Sequence, residues 1–201
     1  MEASMTTDHH GARIDRIDSS SVGDPARFVV LEALNRGFAA LTAAPTDVGR
    51  VALVVSRRDG GRRDTPERTL FSPEGGVAGD SWARRHHPHP NAQITVMQID
   101  VATLIANGQP LPLFGDNLFV HLDLSRANLA TGTPVRIGAA LLEVSPMPHN
   151  GCKKFHARFG ADALEFVSAP ETRHRNLRGI YMRVIEPGEV AVGDPVHVMR
   201  S

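Results

Sequence analysis

From Gly49 onward, Gly, Pro and Asp divide the chain every few residues into runs of strand length, and this limits the fold more than any other feature. RVALVVS (50–56) reads as a strand, followed by the loop RRDGGRRDTPERTL. AQITVMQI (92–99) alternates, with Ile94 and Val96 opposed to Thr95, and NLFVHL (117–122) sets Leu118, Val120 and Leu122 on one face. TPVRIGAALLEVS (133–145) holds two runs that meet near Gly138, and IYMRVIEPGEVAVGDPVHVM (180–199) reads as a hairpin about Pro187-Gly188 with a final strand. DVATLIANG (100–108) predicts a short helix capped by Asp100 and closed by Gly108. Gly-Asp recurs at 79–80, 115–116 and 193–194, where it predicts strand-end turns. Many short strands with few helices predict a mainly β fold closed into a barrel, rather than a layered α/β sheet.

The N-terminal quarter has another texture. Residues 1–22 are polar and aperiodic, and are expected to be disordered or loosely attached. Over 23–48 one helix is predicted, packed on the barrel. Asp24 would cap it, Pro25 suits its first turn, and Phe28, Leu31, Leu34, Phe38 and Leu41 recur at helical spacing until Pro45. Such a stripe is packing surface. The barrel domain would then occupy 49–201.

With 22 basic and 22 acidic residues the formal charge is zero, so no whole-molecule field steers the chain toward nucleic acid. The N-terminus MEASMTTDHHGARIDRIDSS has no apolar core of a signal peptide, and no apolar run approaches the roughly 18 residues of a membrane span. A single cysteine fits a reducing compartment, and a cytoplasmic protein without membrane or nucleic-acid partners is expected.

That cysteine, Cys152, lies in MPHNGCKKFHARFG (147–160), between an expected strand and an expected helix starting at Lys153. It cannot form an internal disulfide, which leaves packing, metal ligation or thiol chemistry. Its setting is wrong for a packed core thiol. His149, Lys153 and Lys154 bring positive charge, and the two lysines are the only ones in the chain. These neighbours and the helix start favour the thiolate form.

Two arginine-rich stretches could border an anion. SWARRHHPHPNAQ (81–93) concentrates Arg84, Arg85, His86, His87 and His89, and ETRHRNLRG (171–179) carries Arg173, His174, Arg175 and Arg178. Arginine forks suit phosphate or carboxylate, although a solvated loop is the ordinary role of such runs. His-His-x-His is not a specific metal spacing. Asp116 and Asn117 stand at the start of a strand, where Asx residues usually stabilise turns. No Ser-His-Asp signature, phosphate-cradling glycine loop or Cys-x-x-Cys pair is present.

Taken in order, GGVAGDSW (75–82), FGDNLFV (114–120), VRIGAALLEVS (135–145), PHNGCKKF (148–155) and RGIYMRVIEPGEVAVGDPVHV (178–198) resemble the MOSC family, in its stand-alone bacterial form. MOSC is the domain found at the C-terminus of molybdenum cofactor sulfurases. The resemblance implies a β-barrel with a few flanking helices. It also places Cys152 at the family's cysteine, proposed to carry a persulfide in some members and ligating molybdenum in amidoxime-reducing relatives. The family often has Glu-Asn where this chain has Asp116-Asn117, which retracts that carboxylate by one methylene.

The resemblance therefore implies a protein that binds molybdenum cofactor and reduces N-hydroxylated small molecules, with Cys152 as metal ligand. Arg84, Arg85, Arg173, Arg178 and Lys153 would hold the pterin phosphate. His149, Asp116 and Asn117 would deliver protons or support the site. Electrons would come from a separate donor protein, since the chain shows no flavin, haem or iron–sulfur motif. Two alternatives from other classes are a sulfur carrier, loaded on Cys152 by a cysteine desulfurase, and a non-catalytic cofactor-binding module. Pyridoxal phosphate is expected only on such a desulfurase partner, not on this chain.

Overall fold

The computed structural model describes residues 22–200 and, in backbone alone, the strand β1 (Arg13–Asp15). The remaining residues of the N-terminal segment expected to be loose lie outside the described residues. After β1 come α1 (Leu31–Ala40), β2 (Val48–Val54), β3 (Ser56–Arg57), β4 (Arg63–Thr65), β5 (Arg68–Ser72) and β6 (Gly76–Val77). Then follow β7 (Ile94–Gln98), α2 (Ile99–Ala106), β8 (Leu118–His121), β9 (Pro134–Ile137) and β10 (Ala140–Val144). The chain ends with α3 (Lys153–Phe159), α4 (Ala161–Ser168), β11 (Ile180–Glu186), β12 (Gly188–Ala191) and β13 (Pro195–Val198).

Seven strands close a barrel in the order β10-β11-β7-β8-β2-β13-β9, with β9 and β10 paired to complete it. Neighbours run antiparallel except β7 and β8, which are parallel and joined through α2, the crossover a parallel pair requires. Alternation fills the interior: Ile94 and Val96 from β7, Leu118 and Val120 from β8, and Ile180, Met182 and Val184 from β11 belong to one buried cluster. Met97 and Phe119 point the other way, into a second cluster formed with the helices. Two small sheets, β1-β4-β3 and β12-β5-β6, flank the barrel.

The strand runs about Gly138 form the β9–β10 hairpin as expected, and all three Gly-Asp pairs sit at turns with the glycine at positive φ. Three local expectations fail. Pro187-Gly188 is not a hairpin turn: β12 leaves β11 and pairs with β5. The Gly188 backbone packs so tightly on Ala139 and Ala140 that a Cβ would lie 2.3 Å from the Ala139 carbonyl carbon, which marks a crossing rather than a reversal.

The N-terminal helix is split. Asp24 caps only a 3-10 turn over Pro25–Arg27, accepting from Ala26 N at 3.0 Å, and the chain then extends through Phe28 and Val30 before α1. The Leu31 N–H instead donates to Asp162 of α4 at 2.9 Å, so a distant carboxylate supplies the cap that the sequence lacks locally. The stripe is packing surface nonetheless. Leu34 is fully buried, Phe38 meets Phe166 edge-on at 5.9 Å, and α1 lies chiefly against α2 and α4. In α2, Asp100 stands in the first turn while Gln98 is the cap, and Asn107, in the left-handed conformation, ends the helix ahead of Gly108. Among the described residues no helix is long and apolar enough to cross a membrane.

Candidate functional site

The Gly115 turn, at φ 78°, delivers Asp116 and Asn117 to the start of β8, both fully buried. Consecutive residues there face different partners. Asn117 turns toward β7: its Oδ1 accepts from the N and Oγ1 of Thr95 at 3.2 and 3.0 Å. Its Nδ2 donates to Val55 O at 3.1 Å and to Asp80 Oδ2 at 3.0 Å. Asp80, delivered by the Gly79 turn and 2% exposed, also accepts from Arg57 N, Nε and Nη2 at 2.7, 2.9 and 2.9 Å and from Trp82 N at 2.8 Å. Burial alone would raise the Asp80 carboxyl, but the bonds from Arg57 and Trp82 outweigh it and hold the group below its usual 3.8. Every polar atom of this knot is used.

Asp116 faces a second group. Arg178, just before β11, reaches past Met97 to place Nη1 2.7 Å from Asp116 Oδ2, its guanidinium 5.1 Å from the Phe155 ring centroid. His149 Nε2 lies 3.7 Å from Asp116 Oδ1, beyond a good hydrogen bond, and the imidazole packs on Tyr181 with centroids 4.5 Å apart. The three side chains are 1–7% exposed. Asp116 Oδ1, His149 Nδ1 and Arg178 Nε are buried without a hydrogen-bond partner.

Burial raises the Asp116 carboxyl above 3.8 despite the opposing Arg178 charge. It drives His149 well below 6.5, helped by the positive charges of Arg178 and Arg57, so the imidazole is neutral at physiological pH. Tyr181 is pushed up by burial and by the neighbouring Asp116.

His149 and Arg178 of this cluster form part of the wall of a cavity of about 460 Å³, where Arg126, Arg173 and Arg178 meet His149, Asn150 and Asn176. A second cavity of about 340 Å³ adjoins it and shares Arg126, Pro148, His149 and Asn176. Cys152, two residues beyond Asn150 and immediately before α3, is exposed and does not itself line the cavity. The Gly151 backbone beside it rests on α4, where a Cβ would stand 2.3 Å from Leu164 Cδ1 and 3.4 Å from the cavity residues Val167 and Ser168.

The structure thus gathers His149, Arg173 and Arg178 in the wall of one cavity, with Asp116 buried against Arg178, whereas Cys152 and Lys153 are exposed and do not line it. Asn117 belongs to the satisfied knot instead. Arg84 ties its own loop, donating to Asp59 at 3.0 Å and to the Gly79 and Asp80 carbonyls at 3.3 and 3.2 Å, and does not line the cavity. Arg85 is exposed and close enough to Tyr181 for its charge to oppose that phenol's upward shift. The histidines of the same loop do not converge as a metal set among the described residues, and His89 caps a turn by accepting from Asn91 N at 3.1 Å. Sequence reasoning missed Arg126, Asp80 and Tyr181.

The family model of the MOSC domain matches residues 83–197, more than half of the chain and the span that carries the barrel's central strands, both cavities and Cys152. The chain belongs to the MOSC family. MOSC domains are associated with binding of the molybdenum cofactor. The crystal structure of the YuaD protein from Bacillus subtilis superposes with a TM-score of 0.55 at 19% identity, over 76% of this chain and 97% of that one. That of a hypothetical protein gives 0.53 at 20% identity, over 76% of this MOSC chain and 69% of the other. Both likenesses concern the fold. No match is found among curated proteins.

Proposed function

We propose that this MOSC protein binds the molybdenum cofactor in the arginine-lined cavity and reduces N-hydroxylated compounds, base analogues among them, with the Cys152 sulfur as molybdenum ligand. The observation that carries the reading is the meeting of Arg126, Arg173 and Arg178 in one cavity wall, with the chain's sole thiol two residues beyond the wall residue Asn150. The residues fit the group. Guanidinium forks match a phosphate, no ion pair to Arg126 or Arg173 occupies them among the described residues, and a soft thiolate suits molybdenum.

When bound, the cofactor would supply the two-electron chemistry that breaks an N–O bond. The reaction consumes two electrons from a separate donor protein and two protons, and releases the amine and water. The chain's own part is to bind and orient. Arg126 and Arg173 hold the anionic end, and Lys153, exposed at the start of α3, adds positive charge. Arg178 is fixed by Asp116, and the neutral imidazole of His149 forms part of the cavity wall. Asp116, on the Nε2 side of His149 at 3.7 Å and bonded to Arg178, supports both side chains from behind.

Replacing Cys152 by serine tests this. The variant is expected to fold and to lose N-hydroxy reduction with altered molybdenum spectroscopy, because a protonated hydroxyl is a poor substitute for soft sulfur. Full reductase activity with molybdenum still bound would overturn the ligand assignment. The exposure of Cys152 favours a second reading, a sulfur carrier, since a partner protein can reach the thiol. In that case wild type incubated with a cysteine desulfurase and cysteine gains a persulfide mass on Cys152, and the serine variant gains none.

A further inference from the structure

Ion pairs are unevenly spread over this molecule. On the strands, Arg68 is matched by Glu189, Arg136 by Glu186 and Arg183 by Glu143. Near the cavities the pattern reverses. Arg85, Arg126, Lys153, Lys154, Arg173 and Arg175 are exposed, and none has a carboxylate within ion-pair distance among the described residues. Arg27 and Arg50 share that condition elsewhere, but singly. The six come from four separate stretches. Arg126 and Arg173 line the larger cavity, and the Arg126 N–H donates to His174 O at 2.8 Å, which sets Arg175 beside them. Lys153 and Lys154 follow the wall residue Asn150 by three and four residues, within about 15 Å of it along the chain. Arg85 is close enough to Tyr181 for its charge to be felt there, and that ring packs on His149 at 4.5 Å. Against them stand Glu165 of α4 and Glu171 of the turn that follows it.

We propose that this basic face is the docking surface for a protein with an acidic face, the carrier that delivers electrons to the cavity. A small anion does not account for it, since Lys153, Lys154, Arg85 and Arg175 lie outside the cavity wall, whereas Arg126 and Arg173 within it suffice for one phosphate. Nucleic acid fits less well, because no Phe, Tyr or Trp among the described residues is exposed for a base to stack on. None of the exposed large apolar side chains belongs to these four stretches, so the contact is of the charge-steered, transient kind rather than a permanent interface. That the partner carries electrons rests on the proposed reduction. That it is acidic rests on the unmatched cations alone.

The probe is a small acidic FMN-carrying protein of the flavodoxin type, titrated calorimetrically into the full chain as purified, which needs no turnover. Its affinity should fall about tenfold or more between about 50 and 300 mM salt. Lys154→Glu combined with Arg175→Glu, both exposed and outside the cavity wall, should weaken it about tenfold or more at the lower salt. Arg68→Glu should leave it unchanged. That exposed residue pairs with β12, which meets the Ala139 end of the β9–β10 hairpin, at the far end of β10 from the cavity residue Ser145. No binding of the carrier, binding indifferent to salt, or equal losses in the double variant and Arg68→Glu would overturn the docking surface. So would a thymidylate oligomer of about twelve nucleotides that bound as tightly as the carrier and lost as much in the double variant. Molybdenum measured on the same preparation keeps the two ideas apart: this binding pattern on a chain without molybdenum retains the acidic-partner surface and removes the reduction.

Discussion

Two polar clusters meet at consecutive residues, one centred on Asn117 and Asp80, the other on Asp116, Arg178 and His149. Both are buried, both contain an arginine–carboxylate pair, and both depend on a Gly-Asp turn. The first is saturated: Asp80 accepts from Arg57, Trp82 and Asn117, and Asn117 spends both ends of its amide on Thr95, Val55 and Asp80. The second leaves Asp116 Oδ1, His149 Nδ1 and Arg178 Nε unsatisfied, and it is the one beside a cavity. A buried polar atom without a protein partner is costly unless a water or ligand supplies one, so this cluster has room for such a partner where the knot has none. The saturated knot fastens the barrel, and the open one is the cluster on which the proposed cofactor site rests.

The largest effect is expected from breaking the knot. Asp80→Ala leaves the Arg57 charge buried without its partner and should cost about 3–5 kcal/mol, measured by urea unfolding. A loss below about 1 kcal/mol would mean that the knot is not the fastening described.

pH separates the clusters next. His149 has a folded pKa well below its ordinary 6.5, so the unfolded chain takes up a proton there that the folded chain refuses. Its contribution to stability is complete above about 6.5 and is lost as pH falls below that value, by up to about 1.4 kcal/mol for each pH unit. His149→Phe should remove this part of the slope between pH 7 and 5. Asp80, held low, contributes at all pH values above its unfolded range and gives way only under stronger acid. An unchanged slope in the histidine variant would place the proton-linked group elsewhere.

Arg173→Gln, at an exposed position of the cavity wall, should leave the unfolding transition in place and weaken retention of an anionic ligand about tenfold or more. Cys152→Ser should change stability least, by about 0.5 kcal/mol or less, because the thiol is exposed and caps nothing.

The barrel was legible because its determinants are local. Alternation in β7 and β8, the Gly138 reversal and the Gly-Asp turns each lie within a few residues. What failed depends on distant partners. The cap of α1 comes from Asp162, and β12 abandons its sequence neighbour for β5. The site divides in the same way. Cys152, His149 and Arg178 stood out by the company they keep in the sequence, whereas Arg126 stands alone between β8 and β9 with no basic run to mark it. Asp80 could have been suspected from its Gly-Asp turn, yet nothing in the sequence says that one Gly-Asp carboxylate is saturated and another left open. That distinction arises only when β2, β7, β8 and β11 are side by side.

The central claim, that the open cluster borders a cofactor site, is tested most directly by elemental analysis of freshly purified protein, with pterin fluorescence on the same sample. The account predicts stoichiometric molybdenum and pterin in the wild type, both depleted in Arg173→Gln while the fold is unchanged. A folded wild-type chain purified from cells that make the cofactor, yet carrying neither, would contradict it.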